Sequence, residues 1–147
     1  MHAETESKIR VKVIMSANII NANPHYDRLG EDAGVRGLVD KFYDLMDEDP
    51  DYYGIRKLHP QDLGESRNKL YWFLSEWTGG PKLFSERIGQ PFLRQRHMPF
   101  AIGVSERDQW MGCMQRAMQA VGLAADLQMS LQQAFFKTAD FMRNQSE

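Results

Sequence analysis

Residues 79–102, GGPKLFSERIGQPFLRQRHMPFAI, separate two helical parts of this chain. The stretch opens on Gly79-Gly80-Pro81, the strongest helix breaker in the sequence, and its later glycine and prolines leave room only for short helical pieces. It also contains His97, which lies between arginines and aromatic residues. We therefore expect an irregular segment, bounded by longer helices, that presents a histidine.

The chain before this stretch has the apolar spacing of two amphipathic helices. Apolar residues recur at i, i+3, i+4 and i+7 positions over residues 32–46 and again over residues 65–77. Residues 51–63 mix glycine, proline and charged residues without a sustained period. That mixture predicts a loop with one short helical turn.

The chain after this stretch predicts two more long helices. Ser105-Glu106-Arg107-Asp108 has the S-x-x-[DE] form of a capping box, which marks the start of a helix. Gly122 suits the C-terminal cap of that helix, and a last amphipathic helix is expected near residues 124–143. Four long helices and two or three short ones account for most of the chain, so the predicted fold class is all-α.

The N-terminal residues have a different pattern. Ile9, Val11 and Val13 alternate with Arg10 and Lys12, which is typical of a strand. A single strand has nothing to pair with in an all-α domain. We therefore interpret residues 1–24 as an N-terminal arm and residues 25–147 as the domain.

The composition limits the classes of function. A length of 147 residues suits one domain, and 18 basic against 20 acidic residues give a net charge of −2, which argues against a nucleic-acid partner. No apolar run approaches the roughly 18–20 residues of a membrane span, and the polar start lacks the order of a secretory signal, so we expect a cytoplasmic protein. The single cysteine, Cys113, lies on an apolar helical face and is expected to be a small buried side chain rather than a nucleophile.

Few residues offer chemistry. Among the four histidines no His-x-x-x-His pair suggests a metal site, and the sequence has no G-x-S-x-G or glycine-rich phosphate motif. His97 remains, with Arg94 and Arg96 within one turn and Phe100 just beyond it. Haem binding requires an axial imidazole, a flat apolar slot and cations for two propionates, and these residues fit that requirement. A histidine at a helix end is nevertheless more often structural, and the many methionines and aromatic residues fit a plain core as well as the walls around a flat ligand.

Several separated motifs resemble those of the group II truncated haemoglobins. They are residues 79–102, ERDQWMGCM at 106–114, YDRLGEDAGVRGLVDKFYDLMDEDP at 26–50, LHPQDL at 58–63 and KLYWFLSEWTGGP at 69–81. They occur in the family's order, and the resemblance extends from about Pro24 to the end of the chain. It implies a two-over-two α-helical sandwich, a shortened globin fold, that encloses haem b.

The resemblance also implies how the haem is held. His97 matches the proximal ligand, which would bind iron through Nε2 while its other ring nitrogen is oriented by a hydrogen bond. Arg96 and Lys69 match the basic residues that meet the propionates. The expected haem wall consists of Phe73, Leu74, Phe84 and Phe100.

On the distal side of the iron, Tyr43 and Trp110 match the family's hydrogen-bond donors to the ligand. His59 matches a corner position that varies among relatives, Ser66 replaces the usual distal histidine of globins, and Leu70 lines the pocket beside it. Judged by pattern alone, Trp110 fits core packing, Tyr43 fits the surface, and His59 fits an exposed loop. We expect water or an empty position opposite His97 when no ligand is bound.

Two functions remain open at this point. The first is binding of O2, NO or CO with high affinity through the distal tryptophan and tyrosine. The alternative is a haem enzyme for nitric oxide dioxygenation or for peroxide and reactive nitrogen species detoxification. The enzyme needs a separate reductase, because the chain has no flavin or nicotinamide motif. A haem-free helical interaction protein is a third reading, and the sequence leaves the oligomeric state open.

Overall fold

Four long helices make up most of residues 24–146, the part of the chain that the computed structural model describes. In chain order the helices are α1 (Tyr26–Leu29), α2 (Glu31–Glu48), α3 (Tyr53–Arg56), α4 (Gly64–Trp77), α5 (Leu83–Arg87), α6 (Leu93–His97), α7 (Val104–Ala120) and α8 (Ala125–Phe141), with a 3-10 turn at Pro50–Tyr52 before α3. No strand occurs in this range. The predicted N-terminal arm, with its alternating Ile9, Val11 and Val13, lies outside the described residues apart from Pro24.

The long helices form two pairs, α2 with α4 and α7 with α8, and the pairs meet where α2 packs against α7. This is the two-over-two sandwich that the sequence predicts. At the meeting point Phe42 and Cys113 are fully buried, and the Cys113 thiol donates a hydrogen bond to the Phe42 carbonyl at 3.2 Å. The other side chains of this core are Val35, Leu38, Val39, Met46, Met114, Ala117, Met118, Leu127 and Leu131.

The start of α7 corrects one prediction. The helix begins at Val104, and the N–H of Gly103 donates to the Glu106 carboxylate at 2.8 Å. The predicted cap at Ser105–Asp108 is therefore wrong by two residues. The cap residue is Gly103, and Glu106, three residues later, accepts the bond from its N–H. Ser105 lies inside the helix, where its hydroxyl accepts a bond from Gln109 at 3.1 Å.

The breaks between helices follow the predicted glycines. Gly122 ends α7 with a left-handed φ of 75°, as expected for a glycine cap. Gly79 has a φ of 97°, and a Cβ on Gly80 would collide with the ring of Tyr26. The Gly79-Gly80 pair thus ends α4 and lets α1 pack against the turn, where the Tyr26 N–H donates to the Thr78 carbonyl at 2.9 Å. Within the described range no helix is long and apolar enough to cross a membrane.

Candidate functional site

His97 is the last residue of α6, and one of its ring nitrogens already has a partner. Nδ1 lies 2.7 Å from the carbonyl oxygen of Leu93, one turn earlier. A carbonyl only accepts, so Nδ1 carries the proton and donates. Nε2 then holds a lone pair, and it has no hydrogen-bond partner within residues 24–146. This is the tautomer that a metal-ligating imidazole needs.

The C-terminal residues hold α6 in place. This five-residue helix contributes no buried side chain, so packing alone does not fix its position. Arg94 donates to the carbonyls of Phe141 and Arg143, both at 3.0 Å. Asn144 donates to the carbonyl of Phe100 at 2.8 Å. Sequence reasoning placed Arg94 at a haem edge and overlooked Asn144, since no local pattern reveals bonds between residues more than forty positions apart.

Arg96 holds the turn that precedes α6. Its guanidinium donates to the carbonyls of Pro91 at 2.6 Å and Gln90 at 2.9 Å. Between these acceptors and the helix, Phe92 has a left-handed φ of 39°, which costs about 1–2 kcal/mol for a residue other than glycine. The Arg96 guanidinium also lies 5.7 Å from the ring centroid of Phe84. Arg96 therefore links the α6 turn to the apolar wall formed by α5.

An apolar wall extends from α5 along α4. Phe84 is buried, and its ring lies edge-on to that of Phe73 at 6.0 Å. Leu74 is buried in the same helix as Phe73, while Leu70 is half-buried one turn earlier. Of the other predicted neighbours, Lys69 and Phe100 are exposed and Ser66 is half-buried in the first turn of α4.

Tyr43 and Trp110 are brought together on the opposite helices by Phe42. The Phe42 ring lies 5.0 Å from that of Tyr43 and 5.1 Å from that of Trp110. Trp110 also packs against Phe135 of α8 at 5.3 Å, an aromatic contact that sequence reasoning missed. The predicted pair of donors thus lies at the junction of α2 and α7.

Neither donor has an acceptor. Neither the Tyr43 hydroxyl nor the Trp110 indole N–H makes a hydrogen bond within the described part of the chain. Tyr43 is only 5% exposed, and burial raises the pKa of its phenol, so the hydroxyl stays protonated and can donate. Since buried polar groups are nearly always paired, the unpaired Tyr43 hydroxyl indicates a site for an acceptor, and the half-buried Trp110 indole offers a second donor near it.

The His59 ring packs against Tyr43. Its ring lies edge-on to Tyr43 at 5.6 Å, and its Nδ1 donates to the Ile55 carbonyl at 2.8 Å. Burial lowers the pKa of His59; the bond to the Ile55 carbonyl opposes this shift, and the charge of Arg56 adds to it. His59 is therefore neutral at pH 7 and presents Nε2 as an acceptor, so it adds no third donor.

Arg67 is a second residue near Tyr43 that the sequence did not single out. Its guanidinium lies 5.8 Å from the Tyr43 ring centroid and is bonded to Asp40 and Asp44 of α2. The sequence feature that could have indicated Arg67 is the pair of aspartates on the helical turn that carries Tyr43. Aspartates on an exposed helix face usually contact only solvent, so their spacing alone did not predict an arginine partner.

These residues suit a flat ligand that brings its own metal. Within residues 24–146 no group of three or more His, Cys, Asp or Glu side chains could hold a metal ion alone. Cys113 offers no further chemistry, because burial raises the pKa of its thiol to about 12. What remains is one free imidazole nitrogen, an aromatic wall and two unpaired donors.

Comparison with known proteins identifies this combination. A family model described as bacterial-like globin matches residues 24–144. The chain belongs to the bacterial-like globin family. Haem binding follows from membership of the globins, and an unpartnered Nε2 at His97 beside an aromatic wall fits that cofactor.

The individual relatives of this globin are truncated haemoglobins. It is 38% identical over 125 residues to the group 2 truncated haemoglobin YjbI of Bacillus subtilis (strain 168), covering 85% of this chain and 92% of the relative. A group II 2-on-2 haemoglobin from Agrobacterium tumefaciens superposes with a TM-score of 0.79 at 40% identity, covering 82% of this chain and 94% of that structure. A truncated oxygen-avid haemoglobin from Bacillus subtilis superposes with a TM-score of 0.75 at 35% identity, covering 83% and 100%.

Proposed function

We propose that this globin binds haem b through Nε2 of His97 and holds dioxygen, or another diatomic ligand such as NO or CO, beside Tyr43 and Trp110. The observations that carry the proposal are the unpaired Tyr43 hydroxyl and Trp110 indole N–H, whose rings both pack against Phe42, and the free imidazole nitrogen of His97. The similarity to an oxygen-avid haemoglobin from Bacillus subtilis supports the choice of dioxygen.

The residues that would hold the cofactor fall into three groups: the axial histidine with its hydrogen-bond partner, the cations, and the apolar wall. The Leu93 carbonyl orients the His97 ring, and a carbonyl partner of this kind also raises the basicity of the ligating nitrogen. Arg96 and Lys69 supply cations for the propionates, with Arg94 as a further candidate whose guanidinium also binds the C-terminal end of α8. The apolar wall consists of Phe73, Leu74, Phe84 and Phe100. Bound haem supplies the iron position at which a diatomic ligand coordinates.

The two donors determine how long the ligand stays. A neutral hydrogen bond is worth about 0.5–1.5 kcal/mol net, and a difference of about 1.4 kcal/mol changes a rate or equilibrium tenfold. The Tyr43 hydroxyl is already desolvated, so it loses little water when it binds the ligand. Tyr43 and Trp110 together then slow dissociation by about one to two orders of magnitude.

The other distal residues shape the pocket. Neutral His59 offers an acceptor for the Tyr43 hydroxyl or for water, while Leu70 and Ser66 border the site from α4. The enzyme alternatives, nitric oxide dioxygenation and peroxide detoxification, use the same residues. No observation on residues 24–146 favours them over ligand binding, and both would draw electrons from a separate reductase.

Haem ligation is tested by absorption spectroscopy and a His97→Ala variant. We expect the purified protein to bind haemin and show a Soret band, and the variant to lose the band or to release haem readily. A folded wild-type protein that rejects haemin would contradict the proposal.

The role of the indole is tested with Trp110→Phe, which keeps an aromatic ring and removes the donor. We expect oxygen dissociation to become about tenfold faster, as measured by stopped-flow mixing with a competing ligand. Trp77→Phe is the matched control, because Trp77 stacks on the same Phe135 ring at 4.9 Å and was never predicted to face the ligand. Equal rates in wild type and Trp110→Phe would mean that Trp110 only packs.

A further inference from the structure

Arg67 is bonded to the turn of α2 that carries Tyr43. One terminal nitrogen donates to the main-chain carbonyl and to the carboxylate of Asp40, both at 3.1 Å. The other donates to the Asp44 carboxylate at 2.8 Å. These three acceptors flank Tyr43 in the sequence, so the guanidinium has one fixed place against that turn.

The same guanidinium lies over the Tyr43 ring. A distance of 5.8 Å between Cζ and the ring centroid is within the range of a cation–π contact. The Arg67 side chain is 28% exposed, whereas Asp40 and Asp44 are 62% and 48% exposed. Solvent therefore screens the two carboxylates more than it screens the guanidinium, which is the one of the three charged groups that lies against the Tyr43 ring.

Arg67 also connects the two helices that border the ligand site. It follows Ser66 and precedes Leu70 in α4, while its three acceptors belong to α2. A displacement of α4 away from α2 would break these bonds and would free the Tyr43 ring on that face.

We propose that Arg67 is a positioning residue that holds the Tyr43 ring with its hydroxyl toward the ligand and thereby slows oxygen dissociation. A ring that is already fixed loses little freedom when it donates a hydrogen bond. A cation at the ring face also draws electron density from the phenol, which strengthens the hydroxyl as a donor. The proposal rests on the proposed ligand binding beside Tyr43.

The first test compares oxygen dissociation rates in Arg67→Gln, which keeps an amide but removes the charge and the fork of donors. We expect dissociation to become about two- to fivefold faster. Arg67→Lys retains the charge but makes fewer hydrogen bonds, so it should give an intermediate dissociation rate. If Arg67→Gln does not fold, Arg67→Lys is used in its place to test the proposal.

A double-mutant cycle shows whether the effect passes through Tyr43. In a Tyr43→Phe background there is no hydroxyl to position, so adding Arg67→Gln should leave the dissociation rate unchanged. The same fold-change in both backgrounds would overturn the proposal. A wild-type rate in Arg67→Gln alone would also overturn it.

Arg36→Gln is the matched control. Arg36 also joins α2 to α4 through a tyrosine, since its guanidinium lies 3.9 Å from the ring centroid of Tyr71 and its Nε donates to Asp32 at 3.3 Å. Along α2, Arg36 lies about two helical turns and Asp32 about three turns from Tyr43. We expect Arg36→Gln to keep the wild-type dissociation rate. If it changed the rate as much as Arg67→Gln does, any arginine that joins α2 to α4 would have the same effect, and the proposal would be overturned.

A second readout does not depend on haem. In apoprotein labelled with 13C at tyrosine Cζ, the Tyr43 resonance is assigned by its loss in Tyr43→Phe. We expect Arg67→Gln to shift this resonance and Arg36→Gln to leave it in place, and an unmoved resonance in Arg67→Gln would contradict the proposal. If the protein rejected haemin, the proposed ligand binding would fail at that step, while this resonance would still report on Arg67.

Discussion

The Tyr43 hydroxyl differs from the other buried tyrosine hydroxyls of residues 24–146 because it has no hydrogen-bond partner there. The buried hydroxyl of Tyr71 donates to Asp32, and that of Tyr52 accepts a bond from an Arg116 nitrogen at 3.2 Å. An unpaired buried donor costs about 1–3 kcal/mol, so the fold is destabilised at Tyr43 unless something accepts the bond of its hydroxyl. Under the proposed function, a diatomic ligand that accepts a bond from Tyr43 would offset this cost, and the same bond would raise the affinity for the ligand.

His59 gives this protein a predictable response to acid. Its pKa is lowered from 6.5 in the folded chain, with burial as the main cause. Above pH 6.5 the residue is neutral in both the folded and the unfolded chain. As the pH falls below that value the unfolded chain takes up a proton first, so the free energy of unfolding decreases by at most about 1.4 kcal/mol per pH unit from this group.

Replacing His59 with Gln should remove that contribution. We expect the free energy of unfolding to fall less in His59→Gln than in wild type between about pH 7.5 and pH 5.5. Urea unfolding of both proteins at the two pH values measures the difference. His25, whose pKa is also lowered, is present in both proteins and cancels in the comparison. An identical loss in the two proteins would show that His59 does not resist protonation.

Among the elements, α6 depends most on contacts with distant residues. A five-residue helix is too short to be stable alone, and this one buries no side chain. The Asn144 side chain makes two hydrogen bonds to the segment that follows α6. It donates to the Phe100 carbonyl at 2.8 Å and accepts from the Ile102 N–H at 2.9 Å. The orientation of His97 is therefore set in part from the far end of the sequence.

Loss of these bonds should weaken the hold on the cofactor. We expect Asn144→Ala to increase the rate of haem release to apomyoglobin by about fivefold to tenfold, as expected for one or two hydrogen bonds. Gln145→Ala is the control, because within residues 24–146 that side chain bonds to neighbouring Asn144 alone, at 3.1 Å. Equal release from Asn144→Ala and wild type would mean that α6 keeps its place without the C-terminal residues.

The comparison of these elements also shows what a sequence can predict. The long helices follow from apolar spacing, because burial of one face dictates that spacing wherever the helix packs. The roles of Arg67 and Asn144 were not predicted, since their partners belong to other elements. The sequence pattern around a polar residue does not show whether its side chain contacts solvent or a main-chain carbonyl. The cap of α7 was placed two residues late for a similar reason: Glu106 and Asp108 both have suitable spacing, and only the main chain selects between them.

At the scale of the molecule, residues 24–146 form one densely packed half and one half in which large apolar side chains are exposed. Where α2, α7 and α8 meet, the side chains of Leu38, Met118 and Leu131 are at most 1% exposed. Around α6, by contrast, Phe92, Met98 and Phe100 are 60%, 51% and 40% exposed. Amide exchange is slow where apolar contacts are dense and fast where they are few, so the two halves should differ in local stability.

Hydrogen exchange with and without haem should reveal this division. In apoprotein we expect fast exchange in α6 and in residues 98–103, with slow exchange in the paired core of α2, α7 and α8. Binding stabilises what it contacts, so haemin should slow exchange chiefly in α6 and its flanking turns and leave the core little changed. In His97→Ala haemin should give no such protection to α6. Uniform protection across all helices would instead mean that the site and the core open together, and that the cofactor stabilises the fold as one cooperative unit.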